Sequence, residues 1–348
     1  MSEPVTIVIP HFKAEILVDC LQSLYDHTPS PIHVIIVDDG PDAPSISRAR
    51  EQFPQVEILR NESNLGFSAS CNRGLDQART RYAVLLNDDT QVTHDWLRPL
   101  LEVAEGDPAV AACQPKLLSA TNPGMFDYGG AAGGHIDRLG YTFCRGRILG
   151  HVEADEGQYD ESVPLFWACG SALFLRLSAV REVGLLDLDF FMHFEEIDLC
   201  WRLRLAGHQI LAVPQSVVIH HSGFSLPPQS YTKSYLNHRN NLVTLYKNLP
   251  ASRLLWLLPL RFCLEILSSL LYFARGSWRL VPAPYAALLW MITHPFNLHR
   301  RRRASRALRH AEAARNDRLA IYRGSILVQY FLLRRRTTAA IMPESPTP

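Results

Sequence analysis

The sequence predicts an α/β domain with a mainly parallel central sheet over residues 1–250, followed by a helical region over residues 251–348. Three observations lead to this prediction. Short apolar, β-branched runs alternate with segments of helical periodicity, a pattern typical of parallel sheets with right-handed crossovers. Acidic pairs follow two of these apolar runs. Beyond about residue 250, the composition changes to long apolar stretches and a run of arginines.

The first part of the chain contains four predicted strands and two predicted helices. Apolar runs of four or five residues predict strands over residues 5–9, 33–37, 56–59 and 82–86. Apolar residues at helical spacing between Leu17 and Leu24 predict the first helix. The turn at Asn64 and Gly66 precedes the second, which is predicted over residues 67–78.

The middle of the chain is less regular. Residues 128–150 are rich in glycine and aromatic residues, which indicates a hairpin or a mobile loop. A buried strand is predicted over residues 166–175 and a helix over residues 195–205. Two more short strands are predicted over residues 209–213 and 217–220.

The composition is that of an ordinary globular protein, with 47% hydrophobic and 20% charged residues. A net charge of +1 gives no overall field that would attract nucleic acid, so we expect no such partner. The seven cysteines are widely spaced without a CxxC pair, which favours reduced thiols over disulfides or a zinc site. The first residues lack a basic segment followed by an apolar stretch, so we expect a cytoplasmic protein without a signal peptide.

Two acidic pairs occur where α/β proteins bind ligands. Asp38 and Asp39 follow the second predicted strand, and Asp88 and Asp89 follow the fourth. Ligands of open parallel sheets bind beyond the carboxyl ends of the strands, so these carboxylates can converge there. One pair can accept hydrogen bonds from a base and a ribose, and the other can bind Mg²⁺ or Mn²⁺ together with substrate phosphates. Either pair alone also fits a solvated turn.

A third acidic cluster begins the helix predicted over residues 195–205. Glu195 and Asp198 share one helical face, whereas Glu196 is turned away by about 100°. Neighbouring aromatic residues desolvate a carboxylate and raise its pKa, which suits a general base. The three acids can equally stabilise the positive end of the helix dipole, and the two roles are compatible.

Six motifs, in order, resemble those of family 2 glycosyltransferases, and the rhamnosyltransferase-like branch is the most similar. The motifs are IVIPHF at 7–12, VDDG at 37–40, NLGFSASCNRG at 64–74, LLNDDT at 85–90, FMHFEEIDLCWRLRLAG at 191–207 and VVIHHSGFS at 217–225. Each motif is weak alone, but the ordered set over residues 5–250 is specific. The resemblance implies a single A-type glycosyltransferase domain that moves a sugar, rhamnose in this branch, from a nucleotide-diphosphate donor to a hydroxyl. The implied acceptor is a glycan or a polyprenyl-lipid-linked glycan of bacterial cell-surface polysaccharide synthesis.

The resemblance also implies roles for individual residues. Asp89 would coordinate Mg²⁺ or Mn²⁺, and His220 would lie near the metal and the diphosphate. Glu196 occupies the position of the general base, although its two acidic neighbours, Glu195 and Asp198, remain alternatives. The positions expected to bind the nucleotide sugar are Pro10, Asp38, Asp39, Asn64, Gly66, Asn72, Asp88 and Gly170.

Three positions depart from the family pattern, and the first is Pro41, which follows Gly40 where serine is common. Asn87 stands where many relatives have the first aspartate, so metal binding depends on Asp89, with or without Asp88. Glu196 replaces the usual aspartate, which gives the base one more methylene of reach.

The C-terminal region allows three interpretations. Residues 254–274 are apolar and long enough to span a bilayer. Pro259, Arg261 and Glu265 interrupt this stretch and argue against a simple span. We expect helices that lie in the interface of the inner leaflet, with the arginines of residues 300–309 attracted to anionic lipid. A helical cap packed on the enzyme is the third interpretation.

Two other functions fit parts of the pattern. A nucleotidyltransferase shares the α/β architecture and the metal, but it should carry a glycine-rich basic loop after the first strand, and the loop at residues 10–13 has no glycine. A degenerate, non-catalytic membrane scaffold would have no reason to retain the acidic clusters. A processive synthase would need several spans and a QxxRW motif, and neither is found.

Overall fold

A computed structural model describes residues 5–29, 31–40, 44–222, 230–310 and 320–342. An eight-stranded sheet forms the centre of this part of the chain. The last three residues of the sixth motif, 223–225, lie outside the described residues, as do residues 1–4 at the N-terminus.

Four parallel strands form one half of the sheet. They are β1 (Val5–His11), β2 (His33–Asp38), β3 (Glu57–Arg60) and β4 (Tyr82–Leu86), in the order β3-β2-β1-β4. The helices that connect them are α1 (Leu17–His27), α2 (Pro44–Gln52) and α3 (Phe67–Gln77). Every residue of β1 is buried, as expected for a parallel strand covered by helices on both faces. The four predicted strands are confirmed, with small shifts at their ends.

The other half of the sheet is mixed. Its strands are β5 (Thr90–Val92), β6 (Val110–Ser119), β11 (Ala172–Arg176) and β12 (Gln209–His220). The sheet continues β4-β11-β6-β12-β5, and β11 runs antiparallel to both of its neighbours. The helices α4 (Leu97–Gly106), α5 (Leu177–Val183) and α6 (Glu195–Leu205) belong to this half.

Two predictions in this half were wrong in detail. The strands predicted over residues 209–213 and 217–220 are one strand, β12, whose register against β6 shifts between Val213 and Val217. Pro214 lies in the shifted segment, and because proline lacks an N–H group it cannot continue the ladder. The strand predicted over residues 166–175 begins only at Ala172, because the residues before it make isolated bridges to other segments.

A small antiparallel sheet forms from the glycine-rich segment. Its strands are β7 (Gly134–Ile136), β8 (Thr142–Cys144), β9 (Arg147–Ile148) and β10 (His151–Val152). The segment is therefore a set of hairpins, the first of the two predicted alternatives. Trp167 joins this sheet to the segment that precedes β11 through a bridge to Gly134.

Within the described residues, four long helices and one single-turn helix follow the sheet. They are α7 (Tyr231–Asn248), α8 (Ala251–Ala274), α9 (Pro282–Thr293), α10 (Pro295–Ala307) and the short α11 (Thr338–Ile341). By length and composition, α8 is the one helix in the described ranges that could cross a membrane. One of its faces is buried, and there Arg261 Nη2 donates to Glu265 Oε1 at 2.7 Å while Glu265 also pairs with His238 of α7. The polar residues that interrupt the apolar stretch therefore fix α8 against the protein.

The arginine run at residues 300–309 divides into two sets. Arg301 and Arg302 are buried, which corrects the prediction that the whole run is available to lipid. Arg301 pairs with Asp187, and Arg302 Nη1 donates to the Leu249 carbonyl at 2.7 Å. The exposed guanidinium groups are those of Arg300, Arg303 and Arg306.

Candidate active site

The carboxyl ends of β1, β2 and β4 meet at one edge of the sheet. The Asp39 N–H donates to the His11 carbonyl at 2.9 Å, which ties the end of β2 to the end of β1. Pro10 lies one residue earlier and pairs in register with Val37. The Asp38 carboxylate accepts from the Gly40 N–H at 3.2 Å and shapes the turn after β2.

Asp39 holds the turn that begins α3. Its carboxylate accepts hydrogen bonds from the N–H groups of Leu65 and Gly66, each at 2.8 Å, and from the Asn61 amide at 2.8 Å. Asn64 Oδ1 accepts from the same Gly66 N–H at 3.1 Å. Gly66 has a φ of +87°, and a Cβ there would lie 2.4 Å from the Phe191 ring, so glycine is required.

Asp88 is bound by neighbouring protein groups. His11 Nδ1 lies 2.7 Å from its Oδ2, and the Phe12 N–H donates to the same atom at 3.3 Å. Ser45 approaches the other ring nitrogen of His11 at 3.0 Å. These contacts give Asp88 the role of fixing the loop after β1.

Asp89 forms a chain with His220 and Asp127. His220 Nε2 lies 3.1 Å from Asp89 Oδ1, and its Nδ1 lies 3.1 Å from Asp127 Oδ2. Burial by itself lowers the pKa of His220, but the two carboxylates outweigh this effect and raise it to about 10. Ser222 Oγ donates to Asp127 Oδ1 at 2.9 Å. Sequence reasoning missed Asp127 because it lies in a loop outside the motifs.

The side chains of the Asp89 chain carry donor atoms that suit a divalent cation. Within the described ranges, no cluster of three or more His, Cys, Asp or Glu side chains has ligand geometry. A divalent cation bound to Asp89 would replace the proton that the two carboxylates hold on His220. Asp89 and the deprotonated His220 then fit Mg²⁺ or Mn²⁺, because such ions in nucleotide enzymes use one or two protein ligands and complete their shell with phosphates and water.

Glu195 and Glu196 begin α6 inside the protein, and each has one buried carboxylate oxygen without a hydrogen-bond partner. Burial raises the pKa of Glu196 to about 7, and backbone N–H groups, including that of Gly170, limit the rise. Burial, and then the charge of Glu196, raises the pKa of Glu195 well above its usual range. A Cβ at Gly170 would lie 3.8 Å from that of Glu196, so this glycine leaves space beside the carboxylate.

The loop before α6 is strained and held from α7. Phe191, His193 and Phe194 have backbone φ values of 64°, 69° and 74°, which residues other than glycine rarely adopt. The buried Asn240 amide donates to the carbonyls of Phe190, Met192 and His193 at 3.1, 2.9 and 2.7 Å. Sequence reasoning assigned Asn240 no role, because its partners are backbone atoms that no residue pattern records.

Asp198 faces away from the two glutamates. Its carboxylate accepts from Arg202 Nε at 2.8 Å, Lys247 Nζ at 2.8 Å and Asn248 Nδ2 at 2.9 Å. Burial alone would raise the pKa of Asp198, but Lys247 and Arg202 lower it to about 2. Such a carboxylate is a poor base, so the geometry argues against this candidate. Asn72 is likewise occupied, since its side chain exchanges two hydrogen bonds with the Leu186 backbone.

Contacts connect the three regions into one site. The Asp39 carboxylate binds the N–H of Gly66, directly before Phe67, and a Cβ at Gly170 would lie 3.4 Å from the Phe67 ring and 3.8 Å from the Glu196 Cβ. A Cβ at Gly129 would lie 2.8 Å from Asp127 Oδ2 and 3.7 Å from the Sγ of Cys169, the residue before Gly170. The structure thus brings Asp39, the two glutamates and the Asp89 chain together, whereas Asp198 and Asn72 stand apart.

Comparisons with protein families identify the chain. The model of "Glycosyl transferase family 2" matches residues 6–124, and that of "Glycosyl transferase family group 2" matches residues 82–298, more than half of the chain. The chain belongs to the family 2 glycosyltransferases. It is therefore an enzyme, and no observation favours the nucleotidyltransferase or the scaffold.

Relatives of this glycosyltransferase support the rhamnosyltransferase-like assignment. The N-acetylglucosaminyl-diphospho-decaprenol L-rhamnosyltransferase of Mycobacterium tuberculosis is 26% identical over 263 residues, which cover 70% of this chain and 83% of the relative. The pre-mycofactocin glycosyltransferase of the same organism is 30% identical over 201 residues, covering 54% of this chain and 37% of the relative.

A solved structure confirms the fold of this glycosyltransferase. The crystal structure of GalNAc-T7 with UDP, GalNAc and Mn²⁺ superposes with a TM-score of 0.57 at 16% identity, covering 70% of this chain and 48% of that one. This chain thus spans about half of the length of that structure. The predicted A-type fold is confirmed.

Proposed function

We propose that this enzyme transfers a sugar, with rhamnose as the first candidate, from a nucleotide-diphosphate donor to a hydroxyl of a lipid-linked glycan. The reaction would take place at the cytoplasmic face of a bacterial membrane. The observation that carries the proposal is the buried Glu196 Oε2, which has no hydrogen-bond partner, and the Asp89–His220 pair supports it. The name of the M. tuberculosis rhamnosyltransferase, with its diphospho-decaprenol acceptor, supports this choice of acceptor.

Glu196 would act as the general base. Its free Oε2 can take the proton of the acceptor hydroxyl as that oxygen attacks the anomeric carbon. A pKa of about 7 leaves a large ionised fraction at neutral pH while keeping the carboxylate basic enough to accept the proton. Attack from the face opposite the leaving diphosphate gives inversion of the anomeric configuration.

Asp89 and His220 would hold the divalent cation, either Mg²⁺ or Mn²⁺. When bound, the cation supplies neutralising charge to the leaving diphosphate. Asp127 keeps the His220 ring oriented through Nδ1, in the way that carboxylates commonly orient metal-binding histidines. Asp39 fixes the turn at Leu65 and Gly66, whose backbone borders the nucleoside side of the site.

A transfer assay tests the proposal. Purified enzyme is incubated with a panel of nucleotide sugars, including nucleotide-linked rhamnose, and with N-acetylglucosamine linked through diphosphate to a short prenyl chain. We expect transfer that stops in excess EDTA and returns with Mn²⁺ or Mg²⁺, and a product of inverted anomeric configuration by NMR. Full activity in EDTA, or a product that retains the donor configuration, would contradict the proposed mechanism.

We further propose that the C-terminal helices lie on the membrane surface. The outer face of α8 exposes Leu255, Trp256, Leu267, Leu270 and Phe273, while its polar residues are bound to the protein. The exposed arginines of α10 add positive charge that anionic lipid headgroups attract. A helix with one polar, protein-bound face suits the interface better than a full span.

A further inference from the structure

Arg147, in β9, is a buried cation without a counter-ion. Its side chain is 8% exposed; Nη1 donates to the Leu149 carbonyl and Nη2 to Cys144 Sγ, both at 3.3 Å. Nε has no hydrogen-bond partner. Among the described residues, no carboxylate lies within ion-pair distance of this guanidinium.

In the part of the chain that the structure describes, two other buried arginines, Arg176 and Arg302, have no carboxylate partner but donate to backbone carbonyls at 2.9 and 2.7 Å, and two more pair with carboxylates. Arg202 pairs with Asp198, and Arg261 pairs with Glu265. A guanidinium is always charged and has five N–H donors, and burying it without an anion costs several kcal/mol. Arg147 is therefore prepared for an anion that the protein itself does not supply.

A series of short contacts leads from Arg147 to the segment beside Glu196. Cys144 Sγ, which accepts from its Nη2, lies 3.9 Å from the Gly129 carbonyl oxygen. A Cβ at Gly129 would lie 2.8 Å from Asp127 Oδ2 and 3.7 Å from Cys169 Sγ. Cys169 directly precedes Gly170, which borders Glu196. The guanidinium is thus linked through short contacts to the segment that faces the base.

The contacts of Arg147 lead both to the base and to Asp127. Through Cys144 and Gly129 the guanidinium is connected to Cys169, which precedes Gly170 beside Glu196. The same Gly129 borders Asp127 of the Asp89 chain, so the donor diphosphate is the second source of a phosphate, and the donor KM in the test distinguishes the two. The acceptor must approach Glu196, because the base takes its proton. The Tyr128 ring lies 4.8 Å from the guanidinium and is 58% exposed, so one neighbour of the guanidinium is a surface side chain.

We propose that Arg147 binds a phosphate oxygen of the acceptor, and that the enzyme thereby selects acceptors carrying a diphosphate next to the accepting sugar. This inference rests on the proposed function, which supplies the diphosphate-linked acceptor. Arginine suits the contact because its planar fork can donate two parallel hydrogen bonds to phosphate.

The test compares two acceptors that differ only in the anion. One is N-acetylglucosamine diphosphate on a short prenyl chain, and the other is the corresponding alkyl N-acetylglucosaminide without phosphate. For Arg147→Gln we expect the KM of the diphosphate acceptor to rise about 10- to 100-fold, with the KM values of the donor and of the alkyl glycoside unchanged. Arg147→Lys should recover part of the loss, because it keeps the charge without the fork.

The controls separate the possible failures. Arg79→Gln removes an exposed arginine elsewhere and should leave all three KM values unchanged, and thermal melting checks that the Arg147 variants are folded. An equal rise in KM for both acceptors, or a rise for the donor, overturns the proposal for Arg147. Absence of transfer by the wild-type enzyme to either acceptor, with any nucleotide sugar, instead overturns the proposed function.

Discussion

At the scale of single residues, two carboxylates of α6 have pKa values shifted in opposite directions. Glu196 has an unpartnered oxygen and a pKa raised by burial, whereas Asp198 is surrounded by Lys247, Arg202 and Asn248. The difference arises because successive side chains on a helix point about 100° apart, so Asp198 meets α7 while Glu196 meets the segment at Gly170. Partners, not residue type, determine which acid can accept a proton.

The pH dependence of turnover tests the assignment of Glu196. Below its pKa the proton occupies the oxygen that must accept from the substrate, so kcat should rise as pH increases through about 7 and level off above it. Glu196→Gln should lower kcat by about 10² to 10⁴-fold and abolish this ascending limb. Glu195→Gln is the matched control, and a larger loss in that variant than in Glu196→Gln would move the role of base to Glu195.

Asp198→Asn distinguishes a stabilising role from a catalytic one. Removing this carboxylate leaves Lys247 and Arg202 buried without their common anion, which should cost about 3–5 kcal/mol of unfolding free energy. Urea denaturation measures that loss. Turnover per folded molecule should remain within a few-fold of the wild-type value; a loss as large as that of Glu196→Gln, without a loss of stability, would contradict the stabilising role.

At the scale of elements, α7 supports α6, the helix that begins with Glu195 and Glu196, at two points. Near its middle, Asn240 binds the strained loop before α6, and at its end Lys247 and Asn248 bind Asp198. Arg239 adds hydrogen bonds to the Asp189 and Phe190 carbonyls. Positive φ values persist only where the surroundings enforce them, and here the enforcing element is a neighbouring helix.

Asn240→Asp tests this positioning role. Aspartate has the same shape but cannot donate to the three carbonyls, so the loop should relax and move the glutamates. We expect kcat to fall at least about tenfold, the donor KM to stay unchanged, and the pH midpoint of kcat to shift towards the ordinary glutamate value. Asn237→Asp, one turn earlier on α7, is the control because its amide bonds only within the helix. Equal effects of both variants would contradict the role.

Sequence patterns predicted the helices and strands that are determined by their own residues and not by the strand or helix they pack against. The strands β1, β2 and β4 are continuous apolar runs, and α6 is bounded as predicted because its first turn is acidic and a glycine follows its last turn. The antiparallel direction of β11 and the fusion of two predicted strands into β12 depend on pairing with β6, which no local pattern contains. For the same reason Asp127 and Arg147 were missed, because the role of each is suggested only by its contacts in the folded protein.

At the scale of the whole molecule, exposed apolar groups collect in the C-terminal region. Besides α8, the segment around Phe331 and Leu332 is exposed and is followed by exposed arginines at residues 334–336. Arg138 links the two regions, because its guanidinium lies over the Trp256 ring and its N–H donates to the Gly324 carbonyl. Apolar side chains bordered by arginines are the composition expected of a surface that binds anionic membranes.

Vesicle cosedimentation tests the membrane surface. The wild-type protein should sediment with vesicles containing anionic phosphatidylglycerol, less with pure phosphatidylcholine, and less at high salt. Leu267→Glu with Leu270→Glu should abolish binding and leave transfer to a short-chain acceptor unchanged. Gln22→Glu with Gln52→Glu adds the same charge at exposed positions on α1 and α2 and should bind normally. Undiminished binding by the α8 variant would contradict the proposed surface.

The contacts at the end of α7 also bear on attempts to shorten the protein for solubility. Ser305 Oγ donates to Asn248 Oδ1 at 2.5 Å, and the Asn248 amide in turn donates to Asp198. Arg302 caps the Leu249 carbonyl from the same helix, α10. Truncating the chain at residue 250 would therefore remove the hydrogen bonds to Asn248 and to the Leu249 carbonyl, at the end of the helix that supports α6. Replacing the exposed apolar side chains of the C-terminal helices by polar ones keeps these contacts of α10, and it should yield an enzyme that is soluble without detergent.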